Sequence, residues 1–534
     1  MTATVSTAEE FHAKESAPSS HNLAALGLAL GVAVELLFYG HPPGISVPIW
    51  ALLCAGALLL AARSHAVRPA RPGAWMAVPI LFFASMAFLR LEGLSVMLAG
   101  AATVGLLLLW VRTFRAGDLF AFGWTDLALT YLLIPLEAWA APWRTLGAVQ
   151  QRLLGDRRGR AQVMAIVRGL LLAFPILVLL IALLSAADFI FADRVEEALR
   201  WFDLERIVEW IGRGAWIALS GLFSLGCLVL ALRPPDYRRR AGSSAPLVRP
   251  FLGFTESAVV LCGVNLVFGL FVGIQFTYFF GGEANITAAG YTYSEYARRG
   301  FGELVAVSII SLGLILALGS WARREGRAQV RGFNGLSALL VAQIGVILAS
   351  ALQRLLLYEG AYGFTRLRTY THVAILWMAG LFLVFLALLL LDQLPRFALA
   401  AAAAALGFTA TLNLLNVDAF IVGRNAARLT QTGEIDLSYL MGLSEDAVPP
   451  LAELARAAPA DVGRALVPQL ACWLAQSELR QLSWPSTHLS RLRARNALLG
   501  LSDEFAGHPV WRDRQVGWMV EVDGEAQACL RQSG

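Results

Sequence analysis

Apolar residues in this chain come in long runs rather than in the one-face spacing of a soluble helix. About 20 such residues cross the hydrocarbon core of a bilayer as a helix. Runs of that kind fall at roughly 22–40, 45–62, 74–90, 93–112, 164–190, 214–232, 256–280, 302–321, 335–357, 371–391 and 396–416. The pattern predicts an all-α fold, a polytopic transmembrane helical bundle of about eleven crossings over residues 22–417. A polar tail, 1–21, precedes it. That tail sets Glu9, Glu10 and Glu15 against Lys14 and lacks the basic opening of a secretory signal, so the first run is expected to stay as an anchor.

Two stretches depart from the pattern. Residues 118–141 are apolar but contain Asp118, Asp126 and Glu137, with basic residues on both flanks. A re-entrant or interfacial helix pair is expected there, and an ordinary crossing is the alternative. Residues 191–213 interleave Val195, Leu199 and Phe202 with Asp193, Glu196 and Glu197. They predict an amphipathic helix, either flat at the interface or packed on the ends of the bundle. Gly27-x-x-x-Gly31 and Gly269-x-x-x-Gly273 permit close helix approach, for which packing within the chain is the simplest use.

Beyond Asn416 the composition shifts. Residues 418–534 carry acidic and basic side chains in near balance, as a small α-helical soluble domain does. Short helices are predicted at about 421–432, 445–457, 461–476 and 486–499, with a hairpin between Trp511 and Asp523. Cys472 and Cys529 lie in this region. They read as two free thiols, with pairing the alternative if the region faces an oxidising compartment.

Composition supports a lipid setting: 57% of residues are hydrophobic and 15% charged. The arginines gather in the connections 63–73, 142–163, 233–255 and 322–334. Basic connections stay in the cytoplasm, which puts the N-terminus inside and the domain 418–534 outside. The same clustering accounts for the net charge of +5 without a nucleic-acid partner.

No phosphate loop, zinc motif, nucleophile elbow or dinucleotide fingerprint is present, and the histidines are scattered. No cofactor or metal is expected, and the reading leans away from an enzyme. The informative constellation is electrostatic. Glu295, Arg299 and Glu303 follow one another at i, i+4 and i+8, beside Arg298 and Tyr296. A second turn holds Arg354, Tyr358, Glu359, Arg366, Arg368 and His372. By parity both lie on the outer side and form one pocket there. In the structural reading these groups clamp helix ends. In the functional one they hold an anionic lipid headgroup or small anion, because arginine forks suit phosphate and carboxylate.

Several separated motifs share an order with a known family. They include Asn265-Leu-Val-Phe, Gln275-Phe-Thr-Tyr-Phe-Phe-Gly-Gly, Tyr293-Ser-Glu-Tyr296-Ala-Arg298, Gly300-Phe and Tyr362-Gly363-Phe-Thr-Arg-Leu-Arg368. In the tail they include Asn425-Ala-Ala-Arg428, Gly433-Glu-Ile-Asp436 and Leu443-Ser-Glu-Asp-Ala-Val-Pro-Pro-Leu451. Over roughly 256–451 the chain resembles bacterial multi-pass membrane proteins of domain-of-unknown-function family four-one-seven-three, with the sibling four-one-five-three. The resemblance implies a bacterial cytoplasmic-membrane protein and supplies no activity.

Three functions are in view. The leading one is a non-enzymatic envelope protein whose outer face and C-terminal domain bind a protein partner or a ligand. The second is a transporter or a lipid- or anion-handling protein that uses the outer Glu/Arg/Tyr pocket. The third is a membrane enzyme acting on a lipid-linked substrate.

Overall fold

The computed structural model describes residues 20–70, 75–115, 122–143, 204–233, 251–288, 301–323, 325–479 and 483–530, with a few isolated positions besides. The apolar runs become helices α1 (Ser20–Phe38), α2 (Ser46–Ser64), α3 (Ala77–Leu89), α4 (Gly93–Thr113), α5 (Trp124–Ala140) and α6 (Leu204–Leu232). Then follow α7 (Phe254–Ala288), α8 (Phe301–Trp321), α9 (Arg327–Tyr362), α10 (Arg366–Leu390) and α11 (Phe397–Leu415). Among the described residues eight helices are long and apolar enough to cross a membrane, and α1 and α3 are shorter apolar helices. The run expected at 164–190 lies outside the described residues apart from isolated positions.

Contacts fix the direction of each helix. Gly27 and Gly31 of α1 abut Leu225, Gly221 and Ile217 of α6, so these two run antiparallel. A Cβ on Gly31 would sit 2.5 Å from the Ile217 carbonyl, which explains the first glycine pair. Of the second pair, Gly269 meets Gln343 and Gly273 faces open space. Asn265 bonds α9 near Leu336 and Gln275 bonds it at Ser350, so α7 and α9 run parallel.

The turns therefore sort to two ends of the bundle. At one end Ala70 N–H donates to Phe114, Arg115 to the Leu232 carbonyl, and Arg323 N–H to Leu252. This end carries the connections after α2, α4, α6 and α8, which include Arg63, Arg68, Arg115, Arg233 and Arg323. The opposite end carries the turns 39–45, 90–92 and 363–365, and on it sits the tail.

The sequence expectation for 118–141 needs correction. Residues 124–140 form one continuous helix rather than a pair. Trp124 packs on Phe397 at the arginine-bearing end, and Ala138 presses on Gly226 of α6. Gly226 is only about 9 Å along α6 from that same end at 1.5 Å per residue. Both termini of α5 thus stay in one half of the bundle. The described part of 191–213, from Leu204 on, is continuous with the crossing helix α6.

The tail comprises α12 (Val417–Thr432), α13 (Leu437–Met441), α14 (Val448–Ala457), α15 (Ala460–Leu479), α16 (Leu489–Leu499) and α17 (Ser502–Phe505). The expected hairpin gains a third strand: β1 (Val510–Asp513), β2 (Gly517–Val522) and β3 (Glu525–Ala528) form an antiparallel sheet in that order. Cys529, just past β3, is disulfide-bonded to Cys472 of α15. The reading of two free thiols is therefore corrected. Sequence spacing carried no sign of the pairing, which depends on the sheet folding back over α15.

One residue joins bundle to tail. Asn416 stands between α11 and α12 in the left-handed region, φ 54° and ψ 74°, where asparagine is among the residues best tolerated. The tail core of Ile421, Val422, Leu451, Leu466 and Leu470 includes Val373 of α10 and Leu412 of α11. Apolar packing is thus continuous across the boundary at 417.

Candidate functional site at the joint between bundle and tail

The joint is built on buried carboxylates. Glu92 caps α4: its carboxylate accepts from Leu94 N and Ser95 N, both at 2.8 Å, and from the Ser95 hydroxyl. The Tyr370 hydroxyl, from α10, donates to the same carboxylate. Arg366, one turn before Tyr370, grips Asp418 with Nε–Oδ1 2.8 Å and Nη2–Oδ2 2.6 Å. Asp418 also accepts from Ser444 N at 2.8 Å. Asp446 accepts from Leu91 N at 2.7 Å and Glu92 N at 3.1 Å, and the Ser490 hydroxyl bridges it to the Leu89 carbonyl. Arg90 Nε donates to the Asn413 carbonyl at 2.7 Å.

Glu92, Asp418 and Asp446 are all at least 96% buried. Such charges destabilise a fold unless donors surround them, and here each oxygen has at least one. Burial pushes the Asp446 carboxyl up, and the bonds from Ser490 and Leu91 pull it back. Burial lowers Arg90, with Asp446 opposing.

A second docking surface is the turn between α1 and α2. Ile45 N–H donates to Thr487, Ser486 Oγ to the Pro42 carbonyl, and Ser483 Oγ lies 2.8 Å from His41 Nδ1. His488 is buried against this turn, and burial lowers its imidazole.

The residues singled out from sequence distribute as follows. Glu295, Tyr296, Arg298, Arg299 and Gly300 lie outside the described residues, and Glu303 is exposed at the start of α8. Arg354 donates to Gln275 at 3.1 Å, and Ser350 donates to the same oxygen at 2.7 Å. Asn265 donates to the carbonyls of Leu261 and Leu336. Arg368 lies 3.9 Å above the Tyr358 ring. His372 stands 3.5 Å from Glu359, a 98%-buried carboxylate whose oxygens receive no hydrogen bond among the described residues.

Gly363 has φ 76°, and Asn425 reads the turn beside it, accepting from Phe364 N and donating to the Phe364 carbonyl, both at 2.9 Å. Arg428 donates to the Gly360 and Ala361 carbonyls. Asp436 caps α13 by accepting from Tyr439 N. Arg366, Arg368, Asn425 and Arg428 are thus engaged by this hairpin and the tail.

Sequence reasoning missed Glu92, Asp418, Asp446 and Ser490 as parts of one cluster. Glu92 before Gly93-Leu94-Ser95 is a cap signal, but nothing local points to partners more than 270 residues away. Among the described residues no group of three or more His, Cys, Asp or Glu side chains is placed to hold a metal ion.

The tail also carries a cleft of about 400 Å³ between α14, α15 and α16. Its floor is Val448, Trp473 and Leu498, and Arg491, Arg495, Ser477 and Glu478 stand around it. Arg491 Nε donates to Glu445 at 2.9 Å.

Eight spanning-length apolar helices bearing a tail on one end define a multi-pass membrane protein. The chain belongs to the family Domain of unknown function (DUF4153), whose model matches residues 77–454. The match starts well before the 256–451 stretch on which the motif resemblance rests, and it crosses the bundle–tail boundary to end inside α14. No curated protein and no solved structure matches the chain.

Proposed function

We propose that this is a non-enzymatic protein of the bacterial cytoplasmic membrane that presents its tail outside the cell membrane to a partner or ligand. The chain crosses eleven times in this reading, with the run 164–190 supplied by sequence alone, and its N-terminus is inside. One observation carries the reading: the tail sits on the end of the bundle opposite the arginine-bearing connections. Basic connections remain cytoplasmic, so the tail belongs outside. The Cys472–Cys529 disulfide supports that side, because such bonds persist in oxidising compartments. The saturated carboxylates of the joint support a mount rather than a reaction centre. The outer turn with Arg298 and Arg299 stays in the proposal as the place where an anionic headgroup or small anion approaches, while Arg366 is already taken up by Asp418.

The test is thiol labelling in intact cells with an impermeant maleimide, on a chain whose Cys54, Cys227 and Cys262 are replaced. A cysteine at Ser502, exposed in the tail, is expected to label, and one at Ser64, at the other end, is not. The reverse pattern sinks the orientation and the binding role together.

A further inference from the structure

The tail cleft is large enough for a small ligand, whose sites typically measure about 300–1,000 Å³. Its floor residues are apolar and almost wholly buried, which suits an apolar body. Its rim is chemically divided. Arg491 and Arg495 lie one turn apart on α16, and Glu478 comes from α15.

The guanidinium of Arg491 is only partly used. Nε is held by Glu445, Nη1 is closed to solvent without an acceptor among the described residues, and Nη2 has no hydrogen bond among them. Arg495 and Glu478 are exposed and have no hydrogen bond or ion pair among the described residues.

These groups discriminate between ligands. A phosphate dianion meets two guanidiniums but also the carboxylates of Glu445 and Glu478. A plain carboxylate satisfies the arginines and leaves Glu478 idle. A molecule with a carboxylate, an ammonium and an apolar body answers the arginines, Glu478 and the floor at once. We infer that the cleft binds a free amino acid or short peptide with an apolar side chain, its carboxylate on Arg491 and Arg495 and its ammonium at Glu478. This deepens the reading of the tail as a binding face and rests on it.

The test is calorimetric titration of the purified full-length protein in detergent with leucine and with the dipeptide Ala–Leu. Saturable binding of either supports the assignment. It is expected to weaken at least about tenfold, or about 1.4 kcal/mol, in Arg495→Gln and in Glu478→Gln, both at exposed positions that leave the fold intact. Amidating the carboxylate or acetylating the amine of Ala–Leu is expected to do the same. Binding of neither probe, equal affinity for the capped forms, or binding unchanged in both variants overturns the assignment, as does binding of inorganic phosphate in their place. Sidedness plays no part in detergent, so failure here refutes the ligand and leaves the labelling experiment to judge the orientation.

Discussion

Arg366 closes on Asp418 with both prongs of its guanidinium, at 2.6 and 2.8 Å, and so fastens the first turn of α10 to the first turn of α12. Removing one partner of a buried pair leaves the other charge uncompensated, which costs about 3–5 kcal/mol. Asp418→Ala and Arg366→Ala are each expected to lower thermal stability in detergent by about that amount. The double variant is expected to lose clearly less than the sum. Additive losses in that cycle are the outcome that removes the pair from the account.

The two glycine motifs separate by substitution. Gly31→Ala drives a methyl to 2.5 Å from the Ile217 carbonyl and 2.8 Å from the Gly221 backbone, and neither neighbour is a flexible side chain. Overpacking of this kind costs about 1–3 kcal/mol. Gly273→Ala meets nothing within 4 Å among the described residues and is expected to be neutral or to gain about 0.5–1 kcal/mol. Comparing the two melting temperatures checks the contrast.

Reduction of the Cys472–Cys529 bond opens a loop of 57 residues. Loops of that size correspond to a loss of about 2–4 kcal/mol. Cys472→Ala is expected to lower stability by that range, and in the chain whose free Cys54, Cys227 and Cys262 are replaced, thiol-reactive mass tags are expected to cause a shift only after reductant. Labelling of that chain without reductant would show that the bond does not form in the cell.

His488 gives a pH signature. Burial holds its imidazole below the ordinary value of 6.5, so the unfolded chain binds a proton that the folded one refuses. Stability from this group is present above pH 6.5 and is lost as pH falls below it. Asp446 acts in the other sense, since its raised carboxyl weakens the fold as pH rises above the ordinary carboxylate range. The melting temperature is expected to drop between about pH 7.5 and about pH 5.5, and the drop is expected to flatten in His488→Gln. An equal drop in that variant assigns the effect to another group.

Much of the architecture is legible in the sequence because it is local. Length and apolarity mark α2, α4 and α6 through α11, and turn residues mark the tail helices to within a few positions. The sheet was half visible, since β1 and β2 carry aromatic and β-branched residues and β3, Glu525-Ala-Gln-Ala528, carries none. The joint was not legible, for a different reason. Glu92, Asp446 and Ser490 come together only when three turns meet, and a capping carboxylate looks the same whether or not a tyrosine from another helix reaches it. Arg366 and Arg428 stood out as charges, but the partner of the first is Asp418 in α12, and those of the second are the Gly360 and Ala361 carbonyls at the end of α9 and the nearby Glu434. Composition cannot choose among such acceptors.

Asn416 deserves a mechanical reading. A single residue between the last crossing and the first tail helix provides no slack, and α12 is pinned again two residues further on, where Arg366 holds Asp418. The tail is therefore mounted as a crank on an axle, without a tether. Whatever pushes on its outer surface applies torque to α11, and any rotation of that helix within the lipid swings the whole appendage.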